Sequence, residues 1–193
     1  MTYDRNTERY RRAIQLARLI ILHYSPDLRG GQEHVVAILF DMNKLFERFI
    51  FVQLRRAETL FATHDLRISG QVRQEFWSSK SIRPDVVATF KKDMGKRSVI
   101  LDTKWKVPKN DQPSDEDLKQ MYVYNLQLGG CSSVLAYPGA GRHQIVTEHP
   151  YARSESFPAH EHTCGTYFID LFDENNQLRK DIGAELIQKA IIR

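Results

Sequence analysis

Ser98-Val99-Ile100-Leu101-Asp102-Thr103-Lys104-Trp105-Lys106-Val107 alternates two faces: Val99, Leu101, Trp105 and Val107 on one, Ile100, Asp102, Lys104 and Lys106 on the other. That period of two predicts a strand burying one side and holding Asp102 and Lys104 in the same direction. Residues 82–90, rich in β-formers and opened by Pro84 where a missing N–H is tolerated at an edge, predict the strand before it, with Asp93-Met94-Gly95 as the turn. Pairing the two brings Asp85 close to Asp102.

Working outward, a third strand is expected at residues 67–77 and a long helix at residues 35–63, its inner stripe being Met42, Leu45, Phe46, Phe49 and Ile50. Residues 9–24 predict an amphipathic helix with a basic face (Arg5, Arg9, Arg11, Arg12, Arg18), stopped by Ser25-Pro26. On the other side, residues 108–114 are polar and proline-flanked, and Ser114 opens a helix that runs to Leu128 and ends at Gly129-Gly130. Strands at residues 132–137, 143–148 and 166–172 and a helix at residues 179–192 complete the chain. The expected class is α/β, a mixed sheet flanked by helices, with a helical segment at residues 1–34 packing on a domain at residues 35–193.

Two carboxylates and an ammonium in one place have a chemical use. Hard divalent cations prefer oxygen ligands, keep several waters, and so bind through one or two carboxylates plus a phosphate. Such an ion activates water and neutralises charge in a phosphodiester transition state. Lys104 can orient the nucleophile, deprotonate it, or stabilise the developing charge, and the three roles stay open here. Asp-x-Lys alone is far better explained as a solvated strand face, and only its context changes that. Glu47 lies at helical spacing from Ile50, Phe51 and Leu54, so its carboxylate borders an apolar stripe; pairing with Lys44, Arg48 or Arg55 is the ordinary alternative to a site role. Gln120 and Tyr124, four apart on a helix, reach one side, where an amide and a phenol can hold Lys104 or a phosphate; packing of Tyr124 into the core competes with that reading.

Taken together, Arg83-Pro84-Asp85, Leu101-Asp102-Thr103-Lys104 and Gln120-x-x-x-Tyr124 resemble the PD-(D/E)XK nucleases, in their RecB-like branch. Leu39-Phe40-Asp41-Met42-Asn43-Lys44-Leu45-Phe46-Glu47, Asp117-Leu118-x-Gln120-Met121-Tyr122-x-Tyr124 and Val134-Leu135-x-Tyr137-Pro138 extend the likeness to the McrC nuclease subunits of modification-dependent McrBC restriction systems. The resemblance implies a restriction-endonuclease-like core and a DNA endonuclease. It implies Mg²⁺, with Mn²⁺ able to substitute, held by Asp85, Asp102 and the Thr103 carbonyl, with Glu47 as a further acidic group. Lys104 would act at the nucleophile, and Gln120 and Tyr124 would position it. It also implies a GTP-hydrolysing AAA+ partner, McrB, reached through a docking half for which this chain looks too short; an excised domain, a truncated relative and a stand-alone homologue are the open readings. The alternative is a DNA-binding or scaffold subunit that keeps the fold and cleaves nothing.

The bulk properties exclude other classes. A formal net charge of +4 over 193 residues suits a polyanionic partner. Cys131 and Cys164 are too few to ligate an iron–sulfur cluster and form no Cys-x-x-Cys pair, so free thiols in a reducing cytoplasm are expected. No stretch approaches a membrane span and the start lacks an apolar leader core. His160-Glu161-His162-Thr163-Cys164 offers metal-ligand types, yet without a matching second half an ordinary loop is expected. Gly139-x-Gly141 lacks the rest of a dinucleotide fingerprint, and no phosphate-binding GxxxxGK[ST] exists, so nucleotide hydrolysis is not expected of this chain.

Overall fold

Asp41 starts the described chain by capping a helix: its side chain accepts from the Lys44 N–H at 3.3 Å, and α1 (Met42–Ala57) follows. A computed structural model describes residues 41–92, 95–130, 132–139, 147–152 and 162–192. The predicted helix at 9–24, the segment boundary at 34/35, the start of the long helix at 35 and the Asp93-Met94 part of the turn fall outside those residues. On α1, Phe46, Ile50, Leu54 and Ala57 form the buried stripe at helical spacing, whereas Leu45, expected inside, is about half exposed. The helix does not run on to residue 63. It tightens into a 3₁₀ stretch, Glu58–His64, non-helical at Phe61, and Asp65 ends it in the left-handed region (φ 48°).

The main sheet has six strands in the order β1-β4-β5-β6-β8-β7, with β1 Arg67–Gly70, β4 Val86–Lys92, β5 Gly95–Thr103, β6 Ser132–Pro138, β7 Thr147–Pro150 and β8 Thr163–Ile169. β1, β4 and β5 are antiparallel neighbours; β5, β6 and β8 run parallel; β7 closes the far edge antiparallel to β8. A separate hairpin, β2 Gln74–Trp77 with β3 Lys80–Ile82, interrupts the run predicted as one strand at 67–77. It also takes Ile82 away from the strand expected at 82–90, which starts only at Val86.

Parallel β5 and β6 need a crossover. α2 (Asp115–Leu128) supplies it, capped by Ser114, whose Oγ accepts from the Asp117 N–H at 3.3 Å, and closed by Gly129 at φ +64°, a conformation glycine adopts without steric penalty. The crossover covers the second face of the sheet, so β5 is buried on both sides. Val99 and Leu101 pack with α1, while Ile100 packs with Met121, Leu135, Tyr137 and Phe168. The expected one-sided strand is therefore corrected: it ends at Thr103, and Val107, beyond it, is exposed. Sheets with parallel strands are covered on both faces in this way.

At the carboxyl end, α3 (Ile182–Leu186) continues as a π-helical turn, Ile187–Ile191, rather than one helix from 179. A Cβ on Gly183 would stand 2.0 Å from the Gln53 carbonyl oxygen, so α1 and α3 cross with backbones in near contact and only glycine fits. Ile50, Leu54, Leu186 and Ile187 are fully buried around that crossing, and truncating one of them costs about 2–5 kcal/mol. β8 begins three residues before the predicted strand, and Phe172 lies outside it, bridging to Leu178.

Candidate functional site

Leaving the hairpin, Ile82-Arg83-Pro84 leads straight to Asp85, which sits just before β4 rather than within it. Asp102 is the penultimate residue of β5, at the end where that strand meets the start of β4; Val86 is registered with Leu101. Asp85 is fixed by its neighbour on β5: its Oδ2 accepts from the Thr103 N–H at 2.7 Å and from Thr103 Oγ1 at 2.6 Å. Thr103, expected to contribute its carbonyl, thus has a visible positioning role through the opposite polarity, as a double donor.

Asp102 is only 3 % exposed. Its buried Oδ2 lies 2.7 Å from Lys104 Nζ, an ion pair without the geometry of a directed hydrogen bond, and no other group among the described residues bonds that oxygen. Burial, and next the charge of Asp85, push its pKa up to about 6 against the opposing pull of Lys104. Burial disfavours the Lys104 ammonium, but Asp102, Asp117 and Asp85 outweigh it and raise its pKa, so the lysine stays charged.

Lys104 is held from α2. Its Nζ donates to Gln120 Oε1 at 2.8 Å, Gln120 Nε2 donates to the Tyr124 hydroxyl at 2.8 Å, and that hydroxyl reaches the Arg83 carbonyl at 3.4 Å. The Gln120/Tyr124 pair does what its spacing predicts, and Tyr124 also packs in the core on that face. Asp117 adds a contact that the sequence reading missed: it lies 3.6 Å from Lys104 Nζ and accepts from Lys106 Nζ at 2.5 Å and Ser114 Oγ at 2.7 Å. Burial raises its pKa, yet Lys106, Ser114 and Lys104 more than offset that, and it lies below the usual carboxylate range. Its capping-box position was a signal for a helix start and masked its second use.

Glu47 stands apart. Its carboxylate accepts from the side-chain amide of Gln71, a residue in left-handed conformation (φ 49°) whose backbone N–H donates to the Asp85 carbonyl at 3.0 Å. Glu47 and Asp85 share a cleft of about 450 Å³ with Lys44, Arg48, Gln71 and Arg83. Among the described residues no three His, Cys, Asp or Glu side chains converge into a metal-holding group, so Glu47 does not join the Asp85/Asp102 pair directly. Of the sequence-predicted residues, Asp85 bonds Thr103, and Asp102, Lys104, Gln120 and Tyr124 form a chain of contacts beside them, while Gln71 links Glu47 to the Asp85 backbone.

His160, Glu161 and Cys131 lie outside the described residues. His162 packs against the rings of Tyr122 and Tyr151 at 4.7 and 5.1 Å, and Cys164 is a buried free thiol on β8. No helix among the described residues is long and apolar enough to cross a membrane.

The mixed sheet, flanked by helices and carrying acidic residues where β4 and β5 meet, defines a restriction-endonuclease-like α/β protein. The same fold is seen in a chain of a Thermococcus gammatolerans assembly described as McrB AAA+ hexamers with bound McrC, at a TM-score of 0.56 and 22 % identity. The alignment covers 100 % of this chain and 41 % of that one. The protein belongs to the McrBC 5-methylcytosine restriction system component family, whose sequence profile matches residues 1–138. No curated protein matches the chain.

Proposed function

We propose that this McrC-like chain is a Mg²⁺-dependent DNA endonuclease of the PD-(D/E)XK type, the cleaving component of a modification-dependent restriction system. The observation that carries the reading is the pairing of Asp85 with a buried Asp102 whose Oδ2 lacks a directed hydrogen bond. A carboxylate buried beside another carboxylate, with one oxygen met only by an ammonium ion pair, is a donor set that a hard divalent ion completes. Two carboxylates suffice for Mg²⁺, which keeps waters and takes the substrate phosphate as a further ligand. Asp85 and Asp102 would hold the ion, and Mn²⁺ would substitute. When bound, the ion supplies a lowered water pKa and charge neutralisation at the phosphate.

The chain's own residues do the rest. Thr103 aims Asp85 through two hydrogen bonds. Gln120 and Asp117 hold Lys104 Nζ in place, charged, beside Asp102, where it stabilises negative charge developing on the phosphate. The acidic neighbours Asp102, Asp117 and Asp85 favour the ammonium form of Lys104, which suits charge stabilisation. Lys44, Arg48 and Arg83 give the cleft a cationic wall that attracts the DNA backbone. Glu47, released from Gln71, is the accessory acidic group.

By family, DNA is the substrate and a GTP-hydrolysing McrB-like AAA+ assembly is the partner that selects and delivers it, in a cytoplasmic setting. The test is plasmid cleavage with Mg²⁺, Mn²⁺ or EDTA, with and without a McrB-like partner and GTP. Divalent-dependent nicking or linearisation that disappears in Asp102→Ala supports the reading. DNA binding without cleavage under every condition identifies a scaffold subunit instead.

A further inference from the structure

Apart from Ile82 at its base, which packs against the core beneath α2, the β2–β3 hairpin joins neither hydrophobic core. All of β2 is exposed, including Phe76 at 47 % and Trp77 at 71 %. Leaving two adjacent aromatic rings in water forgoes burial that the fold offers elsewhere, and exposed aromatics of this kind mark contact surfaces. A bulge between Glu75 and Trp77 breaks the alternation that would send the two rings to opposite faces. Trp77 pairs with Lys80 across a two-residue tip, Ser78-Ser79, with Ser78 in the left-handed region at φ 50°. The bulky ring thus sits at the end of the hairpin.

Two observations say what covers it. First, the charge is cationic: Arg73, Lys80 and Arg83 against Glu75 alone over residues 73–83, with Arg73 Nε bonded across the hairpin to Ser81 Oγ at 2.9 Å. Second, the hairpin is continuous with the proposed cleavage site. β3 ends at Ile82, Arg83 lines the cleft, and Asp85 follows. A phosphate held beside Asp85 would therefore lie at the base of this hairpin.

We propose that the β2–β3 hairpin is a DNA-contacting finger in which Trp77, supported by Phe76, stacks on bases beside the scissile phosphate while Arg73 and Lys80 hold the flanking backbone. It rests on the nuclease reading of the site. Stacking on a π-face tolerates any base, and it anchors a strand without reading its sequence.

The test is binding of a short labelled duplex, and of the same duplex with one unpaired base, by fluorescence anisotropy in Ca²⁺ across a salt series. Trp77→Ala should weaken binding roughly tenfold, the worth of one stacked base. The loss should be larger for the duplex with the unpaired base, and the slope of log affinity against log salt should not change, because no phosphate contact is removed. Trp77→Phe should keep most of the affinity, and Leu60→Ala, an equally exposed apolar residue on the 3₁₀ stretch, should match wild type. DNA should quench tryptophan fluorescence in wild type and much less in Trp77→Phe. Affinity within twofold of wild type for Trp77→Ala, or capture of the AAA+ partner lost with DNA binding intact, overturns the finger. Asp102→Ala separates the two readings: if it binds DNA without cleaving while Trp77→Ala binds normally, only the finger is wrong; if it cleaves like wild type, the nuclease assignment fails.

Discussion

Two clusters of half-buried charge are built by opposite rules. Around Glu185, every acceptor is matched: Oε1 takes the Tyr167 hydroxyl at 2.9 Å and Lys189 Nζ at 2.7 Å, and Oε2 takes Arg179, which also grips Asp181 with two nitrogens at 3.0 and 2.8 Å. Burial opposes the Glu185 charge, but Lys189, Arg179 and Tyr167 more than repay it, and its pKa is lowered. Around Asp102 the balance is reversed: an oxygen without a directed bond, a second carboxylate nearby, and a pKa raised to about 6. A buried network with all its partners serves the fold. One left short of positive charge is what the proposed divalent ion would complete.

The largest effect should come from Asp102→Ala, which should lower DNA cleavage by about three orders of magnitude or more while the protein stays folded by circular dichroism. Glu185→Gln, assayed well below its melting temperature, should cleave like wild type. Loss of cleavage in both, or in neither, would erase the contrast. Next, Lys104→Ala should keep Mg²⁺ and DNA binding but lose turnover by about a hundredfold or more. Lys104→Arg should not rescue it, since a planar fork does not replace a compact ammonium between Asp102 and Gln120.

On stability the ranking inverts. Glu185→Gln should cost about 2 kcal/mol at pH 7 by thermal or urea unfolding. Because the folded pKa of Glu185 lies below its unfolded value, that contribution is present above the unfolded value and fades as pH falls through the folded one. Wild type and variant should therefore converge in acid. Asp102→Asn, free of metal, should do the opposite and by less. Its folded pKa of about 6 lies above the ordinary carboxylate value of 3.8, so ionisation costs stability as pH rises between them. The full rise from 3.8 to about 6 is worth about 3 kcal/mol at pH 8, and the weaker partner left for Lys104 cancels most of it, so the variant should gain on the order of 1 kcal/mol there and almost nothing at pH 3. Mg²⁺ should stabilise the wild type and leave Asp102→Asn unmoved.

Asp102 and Lys104 could be placed together from their two-residue spacing at the end of β5, Asp85 from the pairing of β4 with β5, and Gln120 with Tyr124 from their spacing on α2. Ser114 and Gly129 marked the ends of α2 for equally local reasons. What could not be read depends on distant packing. Ile100 and Leu101 are both buried because the crossover covers the second face, which the alternation around them does not announce. The β2–β3 hairpin hid inside an apparent single strand because Gln71 takes a left-handed turn with no glycine at that position. Gln71 and Asp117 were missed for the same reason: their roles come from residues far along the chain, Glu47 and Lys104.

The β4–β5 ladder also has a consequence for the order in which this protein assembles. Asp85 and Thr103 meet at the open end of an antiparallel pair whose far end is the register of Lys92 with Gly95, so the acidic part of the site needs only a local loop closure. Gln120 arrives with the crossover helix and Glu47 from a helix before the sheet. Contacts of low sequence separation form early in folding. Conservative truncations in the ladder, such as Val99→Ala, should then slow folding, whereas truncations on α3, such as Ile187→Ala, should mainly speed unfolding.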